Sequence, residues 1–462
     1  MKIEATSVAA IALACGWAAP AKAQEPARQT SNQQEIAREL SELRAQMEAM
    51  ASRIDSLESR LAEANARADA ASAAAATAAE AAQAAQVQDK SSPVRIAWKG
   101  APVIEGEGGW SFKVRGRVNV DAGFFDVPDS TGREDGFGSE IRRARIGAEG
   151  TIPGGFGYKF EAGLGPDLAI TDAFLTYSDK GLTLIVGHQN PFQSLEELSS
   201  SLHIPFTERA AFTDAFGFER RLGAAATYKL GDVLLEGGVF TDNYAALPNG
   251  NLSFDGRVVY APKFGDTQMH LGASLHRTEL ESGQSVRYRQ RPFEHFTGER
   301  FVDTGSIAAR GETGLGLEAA MIAGRLDVSG EAFWQRVSRP GLADPTFFGG
   351  YVQVGYFLTH GDRRGYKNGM FDRVKPANPV GKGGIGAVQV AARYDYLDLS
   401  DKGIVGGRQR AYQASIAWSQ TDYTKLILSY SRLLYRDAVY PAAGGDTSYG
   451  ANALVMRAQV DF

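Results

Sequence analysis

Cysteine is almost absent from this chain of 462 residues: Cys15 is the single one, so no intramolecular disulfide can form and no thiol pair is available for metal or redox chemistry. Histidine is scarce too. The six, His188, His203, His270, His276, His295 and His360, are scattered without a metal-binding spacing, and neither a catalytic constellation nor a cofactor motif accompanies them. No apolar run of about eighteen residues follows the first twenty-odd positions, which excludes a transmembrane helix. Only a closed β-barrel could then span a bilayer. The formal charge of -5 has no long basic run, and no nucleic-acid partner is expected. What the chain does have is 53 Gly, 17 Tyr and 24 Phe, a composition that suits a barrel.

The N-terminus reads as a leader. Lys2, an apolar core from Val8 to Trp17, and Ala21-Lys22-Ala23 before Gln24 make the small-x-small pattern of a secretory cleavage site. Cleavage after Ala23 would remove Cys15 as well. Acylation of Cys15 is the weaker alternative, because Ala12 stands where a lipoprotein leader usually has Leu.

Residues 24–92 carry a helical pattern. Ile36, Leu40, Leu43, Met47, Met50, Ile54, Leu57 and Leu61 are spaced alternately four and three apart, the seam of a coiled coil. A lone helix would leave that stripe exposed, so self-association is expected, and Leu and Met on the seam do not separate dimer from trimer. Ala66 to Ala85 continues as a nearly pure alanine spacer that Ser91-Ser92-Pro93 ends.

From Pro93 the period changes to two. In the hairpin Ile141 to Gly165, Ala144, Ile146 and Ala148 alternate with Arg143, Arg145 and Glu149; after TIPGGFG, Phe156, Tyr158, Phe160, Ala162 and Leu164 alternate with Lys159, Glu161 and Gly163. A soluble sandwich fits this hairpin equally well. The preceding stretch decides, because Trp110 to Phe124 alternates without a break, long for a soluble strand and right for a tilted membrane strand. The same pattern marks sixteen strands, ending with Ala453–Phe462. The fold class expected is therefore all-β, a sixteen-stranded antiparallel transmembrane barrel over 93–462. Short turns such as Lys229-Leu230-Gly231-Asp232 alternate with long loops such as Glu279 to Gly311, and an even count puts both termini on one side. Bacterial outer-membrane barrels place them in the periplasm, where the coiled coil would stand.

Several segments resemble the phosphate-selective porins O and P of Gram-negative outer membranes: Arg142-Arg143-Ala144-Arg145-Ile146-Gly147, Thr171-Asp172-Ala173-Phe174-Leu175-Thr176-Tyr177, Val186-Gly187-His188-Gln189-Asn190-Pro191-Phe192, Thr207-Glu208-Arg209, Glu219-Arg220-Arg221-Leu222-Gly223 and Ala391-Ala392-Arg393-Tyr394-Asp395-Tyr396. The resemblance covers most of Trp110 to Phe462. It implies a homotrimeric porin in outer-membrane lipid, a third loop folded inward, an arginine-rich lumen, and passage of phosphate or other small anions. It also carries the family's paired constriction arginines onto Arg142 and Arg143.

The residues point the same way on their own. Lys113, Arg115 and Arg117 occupy successive inward positions of one strand, and Arg143 and Arg145 face the same side from the next. Like charges on adjacent strands disfavour folding, so stability does not explain them. Two unit charges ~10 Å apart in water interact by only ~0.4 kcal/mol, but a narrow low-dielectric pore adds several such terms. Arginine suits oxyanions through its paired, permanently charged donors. The candidate pore-lining anion-binding set is Lys113, Arg115, Arg117, Arg142, Arg143, Arg145, Lys159, Arg209 and Arg221. Strict alternation turns Arg142 outward unless the strand bulges. The long connection His188 to Glu219 has no lysine and carries Glu196, Glu197 and Glu208, a departure from what tight phosphate selectivity would need. A general-diffusion porin and a tether to the cell wall through the coiled coil are the alternatives.

Overall fold

The computed structural model describes residues 47, 48, 50–77, 94–165, 168–242 and 250–462. The leader, the first part of the heptad seam and the end of the alanine spacer lie outside the described residues. The chain divides into two units at Ser92/Pro93. In the first, residues 50–77 are helical, and Met47, Met50, Ile54, Leu57 and Leu61 are each more than half exposed. The helix is single in this structure, so the expected coiled coil is not shown.

The second unit opens with a hairpin of Val94–Trp98 and Pro102–Gly106. Sixteen long strands follow. They are β1 Ser111–Asp126, β2 Gly136–Ile152, β3 Phe156–Leu164, β4 Leu168–Asp179, β5 Leu182–Gln189, β6 Arg221–Leu230, β7 Val233–Phe240 and β8 Leu252–Tyr260, then β9 Thr267–Glu279, β10 Gly311–Ala323, β11 Leu326–Ser338, β12 Thr346–Phe357, β13 Ala387–Asp401, β14 Ile404–Ser419, β15 Thr424–Arg436 and β16 Gly450–Asp461. Each pairs antiparallel with the next. β16 returns to β1, from Asn452 opposite Asp126 to Asp461 opposite Arg117, so no sheet edge remains and every strand of the barrel has a partner on both sides. Gly123 sits where a Cβ would collide with the Leu454 carbonyl, so only glycine lets the two closing strands meet there.

Alternation sorts the faces. Val118, Val120 and Phe124 are exposed on the outside of β1, while Asn119 and Asp121 between them are buried on the inside. Strands β9 to β16 have 12 or more residues, and β3, β5, β7 and β8 have 8 or 9, so one side of the barrel is taller than the other.

The lumen is not an open cylinder. The third loop, 190–220, lies inside it, with Leu195, Phe206 and Phe212 fully buried. The loop 280–310 also turns inward, and Tyr288, Phe293 and Phe301 join Phe212, Phe216, Phe333 and Phe347 in one aromatic cluster against the walls of β11 to β16. One connection breaks the expected rule of short turns at the other end. Residues 358–386 join β12 to β13 and carry a small hairpin, Gly365–Lys367 with Met370–Asp372. This segment reaches the third loop through Phe371 N, which donates to Ser199 Oγ. Arg364 pairs with Asp327 at 2.9 Å and stacks on Phe371, and the Gly369 carbonyl accepts from Arg257. Buried partners on β8 and β11 therefore draw a long segment inward where the sequence pattern suggests only turns. The filling packs mainly against β8 to β16, and the wall of β1 to β4 contributes Phe125 alone to the aromatic cluster.

Candidate functional site

That wall carries most of the candidate cations. Arg142 and Arg143 both face the lumen because β2 bulges there: Asn119 pairs with Arg143 and Val120 with Ile141, so Arg142 is the extra residue. The sequence held the signal, since outward Ile141 and outward Ala144 are three apart and a period of two cannot join them. Ile141 is 69% exposed, and the bulge turns the next residue inward.

Arg142 is held in a clamp. Its Nε and Nη2 donate to the two Glu208 oxygens at 2.8 and 3.2 Å. Arg457 donates to Glu208 at 2.9 Å and to Asp121 at 2.7 and 2.6 Å, so one loop carboxylate joins the β2 wall to β16. Burial alone would raise the Glu208 carboxyl; Arg142, Arg457 and Arg143 instead hold it well below the usual range. Arg143 lies in the same nest of charges, yet its Nη1 is buried with no hydrogen-bond partner among the described residues. Both arginines line a cavity of about 210 Å³ with Arg209, Arg291, Glu197, Glu208, Asp214, Glu219 and Glu294. Burial, helped by Glu140 and Glu208, pushes the Glu294 carboxyl up to about 7. Burial also raises Glu197.

Other candidates sit along β1 to β4. Arg115 pairs with Glu149, Arg117 and Arg145 share Glu161 at 2.7 and 2.9 Å, and Lys159 and Arg220 share Asp172 at 2.6 and 2.8 Å. Lys113 stands opposite Glu149 in the β1–β2 register. Arg220, which the sequence reading left out of the set, belongs to this row.

Two candidates have other occupations. Arg209 touches the cavity, but its guanidinium donates to the carbonyls of Glu196, Glu197 and Ser199 at 2.8 to 3.1 Å and ties the loop to itself. Arg221 points to Ser253 and to Asp242 at 3.6 Å, outside the Arg142–Arg143 cavity.

The third loop is fixed by the opposite wall, a role the sequence did not announce. Glu331 accepts from the amides of Leu195 and Glu196 at 2.9 and 2.7 Å, and Asp395 from that of Ala211 at 3.0 Å. Lys425 donates to the carbonyls of Leu202 and Ile204. Arg393 pairs with Glu196 at 2.6 Å. His203, buried near Arg373 and Lys425, is pushed down to about 3 and stays neutral. Among the described residues no group of His, Cys, Asp and Glu is arranged to hold a metal ion.

A family model described as phosphate-selective porin O and P matches residues 112–462. An uncharacterized protein of Caulobacter vibrioides is 41% identical over 442 residues, covering 92% of this chain and 89% of its own length. Among solved structures, the outer-membrane expressed OmpT of Vibrio cholerae aligns over 78% of this chain and 100% of its own at 11% identity, with a TM-score of 0.50, a likeness of fold alone. The family match spans well over half the chain, and together with the closed barrel it gives the conclusion that this chain belongs to the phosphate-selective porin O and P family, whose members form channels in the outer membrane.

Proposed function

We propose that this porin passes small anions by diffusion through a water-filled channel, sorting them by sign and holding phosphate only weakly, and that it works as a trimer. One observation carries the reading. Along the inner wall, Lys113, Arg115, Arg117, Arg145, Lys159 and Arg220 face Glu149, Glu161 and Asp172, six cations against three carboxylates. A passage comparable with the ~8 Å screening length keeps such an excess effective across its width, which concentrates anions and repels cations.

Tight phosphate selection needs several donors converging on one ion. At the loop the charges nearly cancel, with four arginines and five carboxylates around the cavity. Glu208 takes Arg142 and the loop carbonyls take Arg209, which leaves Arg143 as the donor with unused capacity.

Reversal potentials across a KCl gradient test the sign: chloride is expected to permeate over potassium, and a cation-selective channel would overturn the proposal. Titrating phosphate into single channels that carry chloride tests the site. Block is expected only on the order of tens of millimolar and nearly unchanged in Arg143→Ala. Block at micromolar phosphate that vanishes in the variant would establish a specific phosphate channel instead.

A further inference from the structure

Four arginines crowd one patch of the outer surface of the barrel, at its loop end. Arg408 and Arg410 on β14 and Arg432 and Arg436 on β15 share the outward face with exposed Tyr412, Ile416 and Tyr430. Arg408 stands directly opposite Arg436 in the register, a like-charge pair that works against folding. Asp398 takes Arg408 at 2.8 Å, and Asn452 accepts from Arg432 at 3.0 Å. Among the described residues Arg410 and Arg436 make no ion pair or side-chain hydrogen bond. Elsewhere on this rim the outward arginines are matched one to one: Arg277 with Glu279 at 2.6 Å and Arg336 with Asp344 at 3.0 Å.

Height places the patch at a membrane boundary. Trp418, near the turn end of β14, donates its indole N–H to the Ile385 carbonyl. Arg410 is eight residues and Arg408 ten residues further along. At about 3.3 Å per residue and a tilt of about 40° to 45°, they stand roughly 20 to 25 Å above the indole, the height of the apolar band of such a barrel. Arg408, Arg410 and Arg436 line a cavity of about 470 Å³ with Tyr449, Ser448 and one carboxylate, Asp398, which Arg408 neutralises. Lower on the same strands runs a second hollow of about 540 Å³, floored by Ala392 and Ala414 and walled by Tyr394, Tyr412, Tyr430 and Val352. Its Tyr412–Arg432 pair is next on the outward face after Arg410–Leu434 of the upper cavity in the β14–β15 register.

The geometry points to a binding site for an anionic lipid of the outer leaflet, with its headgroup oxyanions on Arg408, Arg410 and Arg436 and an acyl chain in the groove below. Guanidinium forks bind phosphate or carboxylate oxygens in pairs, and a row of cations at headgroup height has a ready counter-charge in such a lipid. A second copy of the chain fits less well. Glu279, Asp344 and Asp398, the carboxylates in these rim pairs, each already hold an arginine and offer nothing to a facing cationic patch.

Native mass spectrometry of the full chain in detergent, with dimyristoyl phosphatidylglycerol and dimyristoyl phosphatidylcholine as probes, tests the site. The wild type is expected to retain the anionic lipid at least about tenfold better, a difference of ~1.4 kcal/mol. Arg410→Gln with Arg436→Gln should abolish that preference, and Arg277→Gln should keep it. Should the double variant not assemble, each single variant carries the test and is expected to lose about threefold. Equal retention of both lipids by the wild type, or an unchanged preference in the variants, would overturn the proposal. Displacement of the lipid by millimolar inorganic phosphate would also overturn it, reducing the patch to a free-anion site. Loss of trimers in the variant without any change in lipid preference would reassign the patch to contact between copies.

Discussion

Two adjacent arginines in one strand do different work, and the difference comes from a single extra residue. Arg142 balances Glu208 and so fixes the loop; Arg143, at the same cavity, keeps a buried guanidinium nitrogen without a hydrogen-bond partner among the described residues. Neutralising Arg143 removes one positive charge from that cavity. At ~5 Å in water a unit charge is worth ~0.8 kcal/mol, favourable for chloride and equally unfavourable for potassium, so Arg143→Ala is expected to lower the chloride-to-potassium permeability ratio by roughly fifteenfold, read from reversal potentials. An unchanged ratio would mean that ions pass elsewhere. Glu294 adds a pH dependence. Its carboxyl, raised to about 7 by burial, gains a proton as pH falls from about 8 to about 6, and the cavity then loses one negative charge. Anion preference should rise over that interval and be flat in Glu294→Gln; a pH profile identical in the two proteins would remove Glu294 from the passage. Linkage has a matching sign. Between the unfolded value of about 4.3 and the folded value of about 7, the native state holds a proton that the unfolded chain has released, so this contribution to stability is full below the window and is lost as pH rises through 7.

Strands are local statements in the sequence, because each alternates between two fixed environments, lipid and lumen. That is why sixteen of them could be placed from pattern alone, from Ser111 to Asp461. Inward-folding segments are not local. The third loop stays where Glu331, Asp395 and Lys425 hold its backbone, and those partners lie more than a hundred residues away. The inward turn of segment 358–386 is hidden from the pattern for the same reason, although its length alone sets it apart from a turn. Arg457 shows what such anchoring is worth. Its side chain is fully buried between Asp121 and Glu208, and Arg457→Met would leave Asp121 buried without its cation. Loss of one partner from a buried pair costs about 3–5 kcal/mol, so the variant barrel should unfold at clearly lower guanidinium concentration than the wild type. It should also conduct in a noisier, larger state, because Arg457 holds the Thr207 carbonyl as well. A variant with the wild-type midpoint and conductance would show that the loop is held by other contacts.

At the scale of the whole molecule, the helical unit has a surface that a solvated monomer leaves unsatisfied. Met50, Ile54, Leu57 and Leu61 lie four and three apart and are 55 to 61% exposed. Burying one such side chain is worth about 1.5–3 kcal/mol, so a seam shared by the helices of several copies would add substantially to assembly. The exposed apolar stripe was legible in the sequence; how many helices a bundle built on it would hold was not, since Leu and Met there favour no single state. The barrel can fix that number if three barrels associate, as proposed above, and the helices then have two partners each. Replacing Ile54 and Leu57 by Asp in the full chain should leave the barrel's own heat-induced unfolding unchanged while lowering the temperature at which trimers separate into monomers, measured by electrophoresis without boiling. The two readouts are independent. Folded monomers already present at low temperature would show that the helical unit drives assembly, whereas trimers as heat-resistant as the wild type would show that the barrel walls alone hold the copies together and that the seam serves another partner.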